Sequence, residues 1–283
     1  MGVPTWGNYE PLFKHAGLPN VKTYRHLDDK LNLDFASTIS NIKSAPEQSV
    51  FVLQAVCHNP TGADYTQDQW AEIAEAILVR RHFAYIDTAY QGLGIGLDED
   101  AWAIRHFADK GVAMLVCQSF SKNMGLYSER VGALHVVCPS SEIAANVLDQ
   151  LRSSTRWEVS SSPAFGAQIV DTVLSDASLA REWREQLDIA RRRLRDLRKE
   201  LHQLLTQKFA TPSPRTGTVD GWNHLLEENG LFSFTALSGP LAEELIAKHH
   251  VYLTGNGRIN VSGMNAENVE RVAKAFDAVV RSR

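Results

Sequence analysis

Ser49-Val-Phe-Val-Leu-Gln-Ala-Val56 runs straight into Cys57-His-Asn-Pro-Thr-Gly62. The first part is a short, apolar, β-rich run, and Pro60 and Gly62 force a turn where it stops. Thr66-Gln-Asp-Gln69 has the pattern of a capping box, in which a hydroxyl and an amide satisfy each other's free backbone N–H groups at a helix start. Beyond it Trp70, Ile73, Ala74, Ile77 and Leu78 fall on one helical face.

The same alternation continues outward. Phe83 to Ile86 reads as a second buried strand, ending at Asp87. Ala101 to Lys110 reads as a helix, Val112 to Cys117 as a third strand ending near Ser119, and Val131 to Val137 as a fourth. Alternating strands and helices predict an α/β fold with a mostly parallel sheet flanked by helices. Such sheets bind ligands beyond the carboxyl ends of their strands. Asn59, Asp87 and Lys122 each lie just after a predicted strand end, so the topology draws them toward one site.

The last third changes character. Leu179 to Phe209 has helical periodicity and predicts one long helix linking two lobes, with Arg191-Arg-Arg193 on a solvated face opposite Leu194 and Leu197. Pro212 to Asn223 is loop-like. Strands are predicted at Gly230 to Leu237, Val251 to Leu253 and Arg258 to Val261, with helices at Pro240 to Lys248 and Asn265 to Val280. The expected organisation is a large α/β domain over 1–178 and a linking helix with a smaller α+β domain over 179–283.

Hydrophobic content of 44% and charged content of 22% are ordinary for a soluble globular chain able to bury a sizeable core. A formal net charge of −4 argues against nucleic acid or an anionic membrane as partner. Cys57, Cys117 and Cys138 are odd in number and lack metal-ligand spacing, which points to a reducing compartment and no metal. Neither a signal-peptide pattern nor a membrane-spanning run is present, so the expected location is intracellular, in the cytoplasm.

The chemistry gathers around one lysine in Ser119-Phe-Ser-Lys122-Asn-Met-Gly-Leu-Tyr-Ser-Glu-Arg130-Val-Gly132. Ser119 and Arg130 offer a hydroxyl and a permanent cation to a phosphate dianion. Asp87 is suited to pair with a protonated pyridine nitrogen, and Tyr90 and Asn59 to hydrogen-bond a ring oxygen. A lysine with an acidic partner for a pyridinium is the requirement of a pyridoxal-phosphate (PLP) site. On chemistry alone, a generic phosphate-binding loop and a structural ion pair stand beside that reading.

Five stretches make the reading specific. Pro4-Thr-Trp6-Gly-Asn, His58-Asn59-Pro-Thr-Gly62, Asp87-Thr-Ala-Tyr90-Gln-Gly92, the Lys122 segment and Gly257-Arg258-Ile-Asn-Val resemble, in order, the motifs of the aspartate aminotransferase family. The resemblance implies the fold type I PLP-transferase architecture and a PLP-dependent transaminase. It implies that Lys122 carries the cofactor as a Schiff base and moves the proton at the substrate α-carbon. It assigns Asp87 to the pyridinium, Tyr90 and Asn59 to the ring oxygen, Ser119 and Arg130 to the phosphate, Trp6 to stacking on the ring, and Arg258 to the substrate α-carboxylate. Asn59 and Trp6 also border the substrate. Arg156, in Thr155-Arg-Trp-Glu-Val-Ser160-Ser-Ser-Pro163, matches the arginine that reaches into the neighbouring subunit and binds the side-chain carboxylate of aspartate or glutamate; Arg152 competes for that alignment. The implied assembly is a homodimer with shared sites, acting on amino acids and 2-oxo acids. Aromatic aminotransferases of the family keep the same arginine, so an aromatic substrate stays an alternative.

Two departures stand out. Tyr9 and Gln54 occupy positions where many members have histidine, both in the hydrogen-bonding surroundings of Asp87. The resemblance also implies that the N-terminal third of the fold, with a Ser-Gly-Thr-type phosphate turn and a tyrosine donated across the dimer, has no counterpart before Trp6. A truncated, catalytically impaired protein with a non-enzymatic role or none is therefore the second expectation.

Overall fold

The computed structural model describes residues 1–282. In chain order its elements are β1 (Gly2–Val3), α1 (Tyr9–His15), β2 (Tyr24–Arg25), α2 (Phe35–Ser44), β3 (Val50–Gln54), α3 (Gln67–Val79), β4 (Phe83–Thr88), α4 (Trp102–Asp109), β5 (Met114–Ser119) and β6 (Gly132–Val137). There follow α5 (Ser141–Val159), α6 (Phe165–Ser175), α7 (Ala177–Gln203), α8 (His224–Glu227), β7 (Phe232–Phe234), α9 (Pro240–His249), β8 (Arg258–Asn260) and α10 (Val269–Arg281).

The sheet order is β3-β4-β5-β6. The first three strands run parallel, with Gln54 beside Asp87 and Asp87 beside Cys117 in register. That register sets the carboxyl ends of β3, β4 and β5 level with one another. The fourth strand runs antiparallel to β5, pairing Ser119 with Gly132. The chain therefore turns back on itself through residues 120–131, the segment that carries Lys122, and the mostly parallel sheet ends in one reversed strand.

Thr66 and Gln69 form the capping box that starts α3. Its face, with Trp70, Ile73, Ala74 and Ile77, packs with Ile39 and Ile42 of α2, Phe107 of α4 and the inward residues of β3 to β5. A second core joins α7, α9, α10 and the β7–β8 pair, and reaches the loop residues Cys57, Tyr90 and Leu93 beyond the parallel strand ends. The long helix continues past Gln203 as one π-helical turn, Leu204–Lys208, as its periodicity predicts.

Three boundaries differ from the sequence reading. Val251 to Leu253 is no strand: His250 takes a left-handed φ of 52° at the end of α9, and the Val251 N–H donates back to the Leu245 carbonyl at 3.1 Å. The strand expected over 230–237 narrows to β7. The last helix begins at Val269 because the Asn265 side chain first captures the N–H groups of Glu267 and Asn268, both at 3.0 Å.

A buried ion cluster clamps the second core to the site loops. Arg198 of α7, only 3% exposed, donates to Glu228 at 3.1 Å and to the Gly230 carbonyl at 3.0 Å. Arg215 donates to the other Glu228 oxygen at 3.1 Å and to the Leu31 carbonyl at 3.3 Å, tying the start of the chain to its last third. Burial alone would raise the Glu228 pKa, but His224, Arg198 and Arg215 together hold it below the usual carboxylate value.

Candidate active site

The Cys57–Gly62 loop is held by side chains that replace a backbone ladder. Asp64 accepts the N–H groups of Cys57 and His58, at 2.9 and 3.0 Å. Gln54 grips both sides of Asn59, accepting its N–H at 2.8 Å and donating to its carbonyl at 3.0 Å, while also donating to the Thr5 hydroxyl at 3.1 Å. Gly62 has a φ of +69°, and a Cβ there would lie 2.6 Å from the Phe232 carbonyl, so only glycine lets this loop approach β7.

Locked in this way, the Asn59 side chain touches two other predicted residues. Its amide donates to the Tyr90 hydroxyl at 3.4 Å, and its oxygen accepts from Arg258 at 3.2 Å. The Arg258 guanidinium lies 4.6 Å from the ring centre of Phe232, which meets Tyr90 edge-on at 6.0 Å. Phe232 is the residue that sequence reasoning missed: nothing in a short β7 pattern says which aromatic will support an arginine.

Lys122 follows β5 in a turn braced by two hydrogen bonds. The Asn123 side chain donates to the Gln91 carbonyl at 3.2 Å, and Trp183 of α7 donates to the Asn123 carbonyl at 2.8 Å. The turn places the Lys122 ammonium 4.9 Å from the Tyr90 ring centre. Burial lowers its pKa, Arg130 adds to the lowering, and Asp87 opposes it. Ser119 accepts the Ser121 N–H at 3.1 Å. Arg130 sits at a left-handed φ of 51°, uncommon outside glycine, and donates to the Tyr127 carbonyl at 2.9 Å.

Asp87 ends β4. Burial pushes its pKa up, while the Tyr9 hydroxyl, the charge of Lys122 and the Ala89 N–H pull it down. Tyr9 donates to Asp87 at 2.5 Å and meets Trp6 edge-on at 5.2 Å. Trp6, 36% exposed, borders the same side. Arg156 stands apart: it lies in the exposed last turn of α5, and among the described residues its side chain hydrogen-bonds only to Ser160.

The arrangement suits an anionic ligand with a cationic ring. Lys122, Arg130 and Arg258 form no ion pair among the described residues, and Asp87 has no cationic side chain within 4.0 Å. A half-buried carboxylate with no ion-pair partner, together with three cations that form no ion pair, fits a molecule carrying a protonated nitrogen and a phosphate.

Residues 1–276 match the aminotransferase class I and II family. The chain belongs to that family. It is 41% identical to the cytoplasmic aspartate aminotransferase of Caenorhabditis elegans, over 99% of this chain and 67% of that protein. It is 42% identical to the aromatic-amino-acid aminotransferase of Escherichia coli, over 98% of this chain and 68% of that protein. Its fold superimposes with a TM-score of 0.92 on an aromatic-amino-acid aminotransferase from Burkholderia pseudomallei covalently bound to pyridoxal phosphate; identity is 34%, covering 98% of this chain and 67% of that one. The fold is thus that of the fold type I PLP enzymes, and this aminotransferase spans about two thirds of the length of these relatives. Its cofactor is pyridoxal 5′-phosphate.

Proposed function

We propose that this aminotransferase moves an amino group between aspartate or glutamate and a 2-oxo acid at the cluster formed by Lys122, Asp87, Tyr90, Asn59 and Arg258. The observation that carries the reading is the continuous line Arg258–Asn59–Tyr90–Lys122, with Asp87 lacking a cation beside it. Bound pyridoxal phosphate supplies a carbonyl carbon that accepts and returns the amino group, and a ring that takes up the electron pair released at the substrate α-carbon. Asp87 holds the ring nitrogen protonated. Tyr90 and Asn59 donate to the ring oxygen, Ser119 and Arg130 hold the phosphate, and Trp6 covers the ring. Arg258 receives the substrate α-carboxylate as a two-pronged donor, its plane supported by Phe232. Lys122 then takes the α-proton at Nζ and returns it, its amine kept basic but readily deprotonated by partial burial. The two half-reactions follow one another at the same site, a ping-pong sequence.

The side-chain carboxylate of the substrate is assigned to Arg156 of a second copy, which makes the working unit a homodimer. The exposure of Trp157 (79%), next to Arg156 in the chain, supports a contact there. Relatives of both aspartate and aromatic type keep an aromatic substrate as the second reading. The proposed domain division is 1–178 and 179–283; one core lies wholly within the first part, and the other is built mainly from the second, with Val56, Cys57, Ala89, Tyr90 and Leu93 of the first joining it. The proposed location is the cytoplasm, in line with the worm relative; among the described residues no helix is long and apolar enough to cross a membrane.

The test is visible absorbance of the protein mixed with PLP, before and after aspartate or phenylalanine, beside a Lys122→Ala control. A Lys122-dependent band that aspartate converts faster than phenylalanine supports the proposal. The same band converted only by phenylalanine selects the aromatic reading, and no Lys122-dependent band refutes both.

A further inference from the structure

Tyr9 is the first residue of α1 and is 2% exposed. Its hydroxyl ends on Oδ2 of Asp87 at 2.5 Å, and the ring is wedged between Trp6 edge-on at 5.2 Å and Phe13 at 6.5 Å. Phe13 in turn meets Tyr85 of β4 edge-on at 5.5 Å. An aromatic row thus runs along α1 from the mouth of the site to the strand that carries Asp87, and it leaves the hydroxyl little freedom to swing away.

We propose that Tyr9 is a positioning residue for the cofactor's ring nitrogen, its hydroxyl orienting the Asp87 carboxylate as an ionised acceptor and coupling it mechanically to Trp6. This rests on the reading that Asp87 faces that nitrogen. A tyrosine suits the task because it donates without titrating near neutral pH. Burial and the neighbouring Asp87 push its pKa further up, so the proton stays on the tyrosine oxygen. A histidine at this position would change charge between pH 5 and 8 and change the local field with it. The other titratable groups acting on Asp87 are Lys122 after β5, Cys117 on β5, and Tyr85 and Tyr90 on and after β4. None of these donates a hydrogen bond to its carboxylate, so Tyr9 is the side-chain donor that orients it.

The experiment is an equilibrium titration of PLP, read by the Lys122-dependent absorbance band from pH 5 to pH 9, on the full chain and its Tyr9→Phe, Tyr9→His and Asp87→Asn variants. Removing a hydrogen bond to a charged group should weaken PLP binding of Tyr9→Phe by about tenfold. The acid limb of its binding curve should move to higher pH by roughly one unit, because Asp87 then protonates more readily. Tyr9→His should show an added pH dependence near 6 to 7 that the parent lacks. Tyr9→Phe indistinguishable from the parent in affinity and acid limb, with Asp87→Asn impaired, overturns the role of Tyr9 alone. Asp87→Asn indistinguishable from the parent overturns the reading beneath it. If Tyr9→Phe lowers the melting temperature of the cofactor-free protein, the Tyr9→His profile decides: a curve parallel to the parent's leaves Tyr9 a packing residue.

Discussion

Helices α3 and α5 are both amphipathic, yet they end in opposite circumstances. The 13-residue α3 buries Trp70, Ile73, Ala74, Ala76 and Ile77. The 19-residue α5 buries nothing: Ile143 is 45% exposed and Leu148 49%. Its neighbour β6, the reversed edge strand, leaves Leu134 48% exposed. An apolar stripe says that a helix is able to pack; only the neighbouring elements decide whether it does. Asn59, Asp87, Tyr90 and Lys122, assigned to the cofactor, lie on the enclosed side, braced by α7 and the ion cluster, whereas Arg156 lies on the open flank.

The largest effect expected on the enclosed side is chemical. Lys122→Ala should cut transamination by up to about 10⁴-fold, because the group that moves the α-proton is gone; steady-state kinetics with aspartate and a 2-oxo acid check it. Next in size is the ion cluster. Arg198→Met leaves Glu228 buried with fewer partners and should cost about 3–5 kcal/mol in chemical denaturation. A loss below about 1 kcal/mol would mean that the clamp between α7 and the site loops is dispensable.

A smaller effect is a pH dependence confined to the same side. His26 is buried, stacks on His58 at 3.8 Å, and burial lowers its pKa to about 4. The unfolded chain takes up this proton near pH 6.5 and the folded chain only near 4, so stability is full above 6.5 and falls as the pH drops toward 4. The contribution is up to about 3 kcal/mol. Denaturation midpoints of His26→Gln should fall less steeply over that window; an unchanged slope would contradict the assignment.

The smallest effect belongs to the open flank. Leu148→Ser should change the stability of a dilute sample by less than about 0.5 kcal/mol. If a second copy covers α5, the cost should grow with protein concentration, and sedimentation should show weaker dimerisation. A large cost at every dilution would break the contrast between α3 and α5.

Much of this was legible in residue order because it depends on short-range physics. The Thr66–Gln69 capping box is satisfied by neighbours a few residues away, and the apolar runs of β3 to β5 and the helical period of α7 are patterns that local sequence displays by itself. The strand-end positions of Asn59, Asp87 and Lys122 follow from the same local signals, since a parallel sheet levels its carboxyl ends. What required the tertiary structure involves partners distant in sequence. The reversal of β6 depends on which side of β5 is free, and Val251 to Leu253 lost its strand to the capping of α9. Phe232 under Arg258 and Tyr9 against Asp87 join residues 26 and 78 positions apart. Residue order determined which groups are available for the chemistry and where most local elements lie; the packing of α1, α7 and β7 around the strand ends decided which of them touch, because hydrogen bonds and burial act through distance in space.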